Sequence, residues 1–379
     1  MHILAISIDT KLFEKDSTSL KRILEYANLC TELHIICYTP NNKFKKISIG
    51  NIFIYPTNSS CKLNFINNAY KISKQVITEN NLTSQNTIIT SQDPFETGLV
   101  GYLLKRKFKL GLNIQDHGNF FESKYWRKES LLNLFRYLLG TFILKNSNSI
   151  RTVSLREKKY IENKFNYNPE KISNFPIFTD WEKIANTQPK FNVKQRYPGF
   201  EQYLMTACRI EKVKNIPLLI NSFSEILQEF PRTLLLIIGT GSQEKNIKEI
   251  IKKNNLQNNI IIEPWTNDLI SYYKTSDIFV STSFSEGWGL TSIEAAASNC
   301  PLIITDTGSA NEFFLNQKNS WIIEIDNQRE LTISLIDALK NKGKREGFAQ
   351  EAFASLSTLP TKENSMIKLK ESWQKAISK

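Results

Sequence analysis

The sequence predicts an α/β fold built from two doubly wound, mostly parallel-sheet domains of similar size. Three observations carry that prediction. Apolar runs of about four to six residues alternate with longer mixed segments along two stretches of the chain, which is the pattern of repeated β-α units. Between about Asn163 and Pro198 the texture shifts to Asn, Pro and Lys, separating the two series. The length of 379 residues, with 41% hydrophobic residues, suits two or three domains and supplies a sizeable core.

The first series opens on the strand HILAISI from His2, which turns acidic at Asp9 without a basic leader and reads as a buried strand rather than a signal peptide. A helix near Ser19–Leu29 leads to strands at Leu33–Tyr38 and Asn51–Pro56. A helix at about Phe65–Asn80 precedes the short strand Thr87–Thr90, and the segment after Asp93–Pro94 runs as a helix towards Lys105. The strand KLGLNIQ, the helix Leu131–Leu144 and the strand Ser149–Ser154 complete the series. The stretch Leu131–Leu144 is too short to span a bilayer and contains Asn133 and Arg136. It is expected to be a packed helix, with an interfacial helix as the alternative.

The second series comprises strands in YLMTAC, LLLIIG, NIIIEP, DIFVSTS, PLIITD and SWIIEI, with helices around Ile216–Phe230, Gln243–Asn254 and Thr291–Ala297 and a short one after Asn267. The expected boundaries are residues 1–180 for the first domain (with a linker to about 198) and 199–355 for the second. A C-terminal helix in 356–379 is expected to pack back across the domains. Ligands of open α/β sheets bind outside the carboxyl ends of the strands, so the expected site is a cleft across which the two domains face each other.

Lys and Arg number 49 against 37 for Asp and Glu, a net charge of +12, which favours phosphates, acidic polymers or an anionic membrane surface. The five cysteines are scattered without a C-x-x-C pair, so reduced thiols in the cytoplasm are expected. Only His2, His34 and His117 are present, which argues against a His-rich metal site. His2 and His34 flank strands and read as structural. No G-x-G-x-x-G follows the first strand, against a Rossmann oxidoreductase, and no nucleic-acid fold motif appears, so no nucleic-acid partner is expected.

The most informative stretch runs from Ser283 to Phe313. After a strand it places Gly287 and Gly289 around Trp288, opens a short Ala-rich helix, and stops it with Pro301. Glycines let the backbone approach a ligand, and a helix N-terminus offers free N–H groups to an anion. Glu286 can accept hydrogen bonds from sugar hydroxyls, and Glu294 can bridge a ribose diol with its two oxygens. The pattern of a Glu, a Gly-aromatic-Gly loop and a second Glu eight residues on resembles the signature of retaining, nucleotide-sugar-dependent glycosyltransferases. These are the two-Rossmann-domain (GT-B) enzymes of glycosyltransferase family 4, also called glycosyl transferases group 1. The resemblance implies that Glu286 lies against the donor hexose, that Glu294 binds the ribose, and that the backbone of Gly287, Trp288, Gly289 and Leu290 contacts the sugar or diphosphate. Two departures stand out: Asn299 replaces a usual Gly, and the later glycine pair is reduced to Gly308–Ser309 before Glu312.

Further matches follow in order. CRIEKVKN, Cys208–Asn215, resembles the family's Arg-Leu-x-x-x-Lys-Gly element, with Arg209 and Lys214 on its basic positions and Asn215 in place of the Gly. Two cations at a strand end can neutralise a departing diphosphate. Gly239 and Gly241 resemble the G-x-G turn facing the nucleotide. LNIQDHG resembles the Gln-x-His-Gly segment, which implies a catalytic role for His117 near the donor sugar, and its neighbour Asp116 is a candidate for acceptor hydroxyls. Asp93, Arg151 and Ser154 also fall in family-like segments. The N-terminal Gly-rich loop of many members is replaced by FEKDSTSL, Phe13–Leu20.

The resemblance covers about Ile3 to Leu339 and implies transfer of a hexosyl group from a UDP- or GDP-sugar, with retention, to a glycan or lipid-linked glycan. Such transfer serves cell-surface polysaccharide or glycolipid synthesis. It implies no permanently bound cofactor and no required metal, and no metal-ligating residues are assigned. Basic clusters at Lys43–Lys46, Lys105–Lys109 and Lys124–Lys128 suggest an anionic membrane surface as a further partner, for a cytoplasmic protein peripheral on the inner face of the membrane. The alternative is a catalytically inactive GT-B-like protein that binds sugar nucleotides or glycans.

Overall fold

The structure is a computed structural model that describes residues 1–41 and 43–377. It divides into two compact units, one formed by Met1–Pro176 with the chain from Thr361 onward, the other by Ile177–Pro360. The last two residues of the expected 356–379 segment lie outside the described residues.

The first unit holds eight strands: β1 (His2–Ser7), β2 (Glu32–Cys37), β3 (Ile47–Ile49), β4 (Ile52–Pro56), β5 (Thr87–Ser91), β6 (Gly111–Asp116), β7 (Ser149–Thr152) and β8 (Ile172–Asn174). They form one sheet in the order β3-β4-β2-β1-β5-β6-β7-β8, parallel except for the β3–β4 pair. Because alternate residues point to opposite faces, neighbouring apolar residues of β1 feed two cores. Leu4 and Ile6 pack with Val76, Val100 and Ile143 on one side, while Ile3 packs with Leu12, Leu20 and Trp373 on the other. A strand covered on both faces needs an unbroken apolar run, which is why HILAIS has no polar alternation.

The edge strands β3 and β8 were not legible in the sequence, since each is only three residues long. The chain from Thr361 onward carries the helix Lys362–Gln374. Leu369 and Trp373 enter the first unit's core, and Asn113 Nδ2 donates to Ser372 O at 3.2 Å.

The helix Leu131–Lys145 packs through one face only. It buries Asn133, Gly140, Ile143 and Leu144, yet Leu131, Leu132, Leu134, Phe135, Leu138 and Phe142 are exposed, Leu131 by 87%. An almost uniformly apolar sequence has no polar stripe to mark its outer side, so composition alone does not show which face packs. Among the described residues no helix is long and apolar enough to cross a membrane.

The second unit holds β9 (Gln202–Ala207), β10 (Thr233–Ile238), β11 (Ile260–Glu263), β12 (Ile278–Ser281), β13 (Leu302–Thr305) and β14 (Trp321–Ile323), all parallel, in the order β11-β10-β9-β12-β13-β14. Its core joins Leu235, Ile237 and Val280 to Leu219, Phe223, Leu331 and Leu335. Strand order reverses between β9 and β12 here, and between β1 and β5 in the first unit. Those switch points open crevices at the carboxyl ends, where ligands bind in this architecture.

Candidate active site

In the second unit the loops leaving β9 and β12 emerge side by side at the switch point and are tied together. Thr282 Oγ1 donates to the carbonyls of Lys214 and Asn215, each at 3.0 Å, and Phe284 N donates to Val213 O at 2.8 Å. This backbone join brings together two residues 72 positions apart: Lys214 Nζ donates to Glu286 Oε1 at 2.6 Å. Ser283 Oγ donates to the same oxygen at 2.6 Å. The Lys214 and Glu286 side chains keep 16% and 19% of their surface exposed, so the pair is held yet accessible. Arg209 is exposed, and its guanidinium has no hydrogen-bond or ion-pair partner among the described residues.

Asn215 takes over the usual glycine's conformation, with φ of 46° in the left-handed region. Asn reaches that region at lower cost than other side chains, and its Nδ2 donates to Asp326 Oδ1 at 2.9 Å. Asn299 does the same just after the helix Leu290–Ala297, with φ of 56°. Both Asn residues thus hold a left-handed conformation that a glycine would adopt freely.

The helix Leu290–Ala297 is opened by Gly289 at φ of 85°, and Leu290 in its first turn is 37% exposed. Trp288 is 5% exposed and packs its indole near Phe313, with ring centroids 6.3 Å apart. Its carbonyl accepts from Ser309 N at 3.1 Å. The tryptophan side chain thus anchors the loop from inside, while Gly287 stays partly exposed. Glu294 lies one turn into the helix and accepts from the Tyr273 hydroxyl at 3.3 Å. Burial raises its pKa, and the tyrosine hydrogen bond opposes that rise. Gly239 and Gly241 have a backbone reason of their own: a Cβ on either would collide with the carbonyls of Cys208 and Ile210. They let the turn after β10 lie against the segment that carries Arg209.

The first unit's loop after β6 is built differently. His117 is partly exposed, and neither ring nitrogen has a hydrogen-bond partner among the described residues. Its pKa is held well below the usual histidine range, first by burial and then by the positive charges of Arg151 and Arg22, so the imidazole is neutral at neutral pH. Asp116, expected as an acceptor contact, is fully buried. Its Oδ1 accepts from Gly118 N at 3.1 Å, and it is paired with Glu157. Glu157 in turn accepts from Phe121 N at 2.7 Å and Glu122 N at 2.8 Å. Burial and the Asp116 charge push the Glu157 pKa well up. Burial raises both carboxyl groups and the Asp116 charge raises Glu157 further, which favours one proton shared within the pair over two buried charges.

Arg151 NH1 donates to Gln115 Oε1 at 3.2 Å, and its guanidinium lies 4.0 Å from the Phe175 ring centroid. Burial lowers its pKa to about 10. Asp93 lies just before the helix Glu96–Phe108, and its Oδ1 accepts from Phe95 N at 2.7 Å and from Thr97 N at 3.4 Å. Glu157 was missed by sequence reasoning, although Ser154 followed three residues later by Glu157 is a capping-box spacing that was there to be read. The Ser154 side chain indeed accepts from Glu157 N at 3.2 Å.

This architecture and these loop clusters define a GT-B fold, and the comparisons agree. Residues 188–354, wholly within the second unit, match the family model described as Glycosyl transferases group 1. That segment is a glycosyl transferases group 1 domain. The chain is 30% identical over 146 residues to a poly(glycerol-phosphate) alpha-glucosyltransferase of Bacillus subtilis (strain 168), covering 38% of this chain and 22% of that protein. It is 24% identical over 255 residues to UDP-Gal:alpha-D-GlcNAc-diphosphoundecaprenol alpha-1,3-galactosyltransferase of Escherichia coli, 65% of each chain. The sucrose-phosphate synthase structure from Thermosynechococcus elongatus superposes with a TM-score of 0.80 at 16% identity, covering 99% of this chain and 98% of that one. At that identity the likeness shows the fold alone.

Proposed function

We propose that this chain is a retaining hexosyltransferase of glycosyltransferase family 4 that uses a UDP- or GDP-sugar without a bound metal. Its acceptor is a glycan or lipid-linked glycan in cell-surface polysaccharide or glycolipid synthesis. The observation that carries this reading is the Lys214–Glu286 pair at the second unit's switch point, with exposed Arg209 nearby in sequence. An ammonium has three donors, so Lys214 can keep Glu286 and still reach a diphosphate. The C1–O bond to the diphosphate breaks as the acceptor oxygen bonds to C1 from the same face. The departing phosphate oxygen takes the acceptor proton, and Lys214 and Arg209 neutralise the charge left behind. Glu286 orients the donor hexose, Glu294 binds the ribose, Gly287, Gly289 and Leu290 offer backbone to the sugar or diphosphate, and neutral His117 hydrogen-bonds the donor sugar. The two relatives' names specify alpha linkages, the outcome that retention from an alpha-linked donor delivers.

Calorimetry and donor-hydrolysis assays with UDP-, GDP- and ADP-sugars in chelator test the reading. Affinity for one of these nucleotides without metal is expected. Absence of binding by all of them would overturn it, while binding without transfer or hydrolysis would favour the inactive sugar-nucleotide binder.

The same reading includes peripheral attachment to the inner face of an anionic membrane. Its support is the exposed row Leu131, Leu134, Phe135, Leu138 and Phe142, which continues into a hollow lined by Lys124, Arg127 and Lys128. Apolar side chains beside cations suit the boundary between acyl chains and acidic headgroups. Sedimentation with phosphatidylglycerol vesicles is expected to weaken with salt and with Leu138→Glu. Equal binding to neutral vesicles would exclude the electrostatic part.

A further inference from the structure

His2, Glu32 and His34 converge at the amino-terminal ends of β1 and β2, the opposite end of the first sheet from the loop that carries His117. The strand register brings this about. His2 pairs with Glu32 and Leu4 with His34, and residues two apart share a face, so both imidazoles and the carboxylate project from the same side of adjacent strands. His2 Nδ1 lies 3.1 Å and His34 Nε2 3.2 Å from the same oxygen, Glu32 Oε2. The three donor atoms all lie within 4.8 Å of one another. Around a tetrahedral zinc with bonds of about 2.0–2.1 Å, ligand atoms stand roughly 3.3 Å apart, so small side-chain adjustments suffice to admit an ion.

The ring of His34 is held in place before any ligand arrives. It is fully buried, stacks on Phe53 at 5.0 Å with 16° between planes, and has Nδ1 3.3 Å from the Tyr55 hydroxyl. A hydroxyl both donates and accepts, so Tyr55 can hold Nδ1–H while Nε2 presents its lone pair. Metal-bound imidazoles are commonly oriented by such an outer contact. The His2 and Glu32 side chains are 20% and 34% exposed, which leaves a path for an ion and a water. The ammonium of Lys46, 4.6 Å from the Tyr55 ring centroid, is the nearby cation that works against a metal.

We propose that His2, Glu32 and His34 bind a divalent transition metal of the zinc class, with water in the fourth position. The ion pins β1 to β2 as a structural tie, separate from the sugar-transfer chemistry. Two imidazoles and one carboxylate suit zinc better than calcium or magnesium, which select oxygen donors. This departs from the sequence expectation that His2 and His34 are merely structural.

The test uses the full chain stripped with chelator, then titrated with zinc chloride against a competing chromophoric chelator, and in parallel with cobalt(II) read by visible absorption. The expected result is one tight equivalent of zinc and the intense visible bands of tetrahedral cobalt. Glu32→Gln and His2→Ala should each weaken zinc by more than about 10-fold, the loss that even an outer-contact change produces. Zinc should raise the Tm of the parent but not of these variants. His34 is buried, so the two partly exposed ligands carry the test on an intact core. Lys46→Ala should tighten binding, and Cys61→Ser, which removes an exposed thiol, should leave it unchanged. Failure of the parent to bind zinc, or binding that survives both ligand substitutions, would overturn the proposal.

Discussion

At the carboxyl ends of the second unit's strands, the charged groups keep part of their surface: Lys214 and Glu286 are paired at 2.6 Å, and Arg209 stays exposed. Beside the carboxyl ends of the first unit's β6 and β7, three charged groups turn inward. Asp116, Glu157 and Arg151 are all buried, while His117, Gly118, Phe120 and Glu122 keep part of their surface there. One cluster leaves charge accessible to a ligand; the other buries its charges in fixing the loop that carries His117. Under the proposed function, accessible charge serves binding and buried charge serves positioning.

Substitution at the accessible pair should break this contrast most sharply. Glu286→Gln and Lys214→Ala are expected to lower turnover by about 10²–10³-fold, the range for removing one preorganised charge-stabilising group, with the melting temperature nearly unchanged. A large fall in Tm in place of lost turnover would make the pair a structural clamp. His117→Ala should lower kcat by about 10²-fold, within the range for a positioned proton-transferring or hydrogen-bonding group, with little change in donor KM. If turnover is unaffected, the catalytic assignment of that histidine is wrong.

Glu157→Ala should instead act on stability, removing the acceptors of one buried and one partly buried backbone N–H group at a cost of about 2–3 kcal/mol in urea unfolding. The pH dependence sharpens this. The Glu157 pKa is raised in the folded chain by burial and by Asp116, so above its ordinary value the folded state binds more protons than the unfolded one, and stability falls as pH rises towards the folded pKa. Glu157→Gln should flatten that slope, and an unchanged slope would remove the shared proton from the account. The smallest effect is expected at Glu294. Glu294→Ala should weaken nucleotide diphosphate binding about 10-fold, roughly 1.4 kcal/mol, read by calorimetry.

Legibility in the sequence tracked how local each feature was. The Glu286-to-Glu294 block was readable because its turn, helix start and both carboxylates sit in one short stretch. Arg209 and Lys214 were readable by their order after a strand. Glu157 was passed over because its partners, Asp116 and the N–H groups of Phe121 and Glu122, lie some 35 to 41 positions back in the chain. The helix Leu131–Lys145 packs through one face only, which the sequence does not show because an apolar run looks the same whether its outer side meets protein or solvent.

The sequence by itself determined the two α/β units, their parallel strands and the positions of the special turns. Apolar periodicity, Gly, Asn and Pro act over a few residues and need no distant partner. Only the tertiary structure decided that Lys214 meets Glu286, that Trp288 faces inward, that Asp116 shares a proton with Glu157 rather than facing solvent, and that His2, Glu32 and His34 share one face. Those outcomes depend on strand order and register, which bring side chains far apart in the chain within hydrogen-bond distance and set the burial that governs their charge.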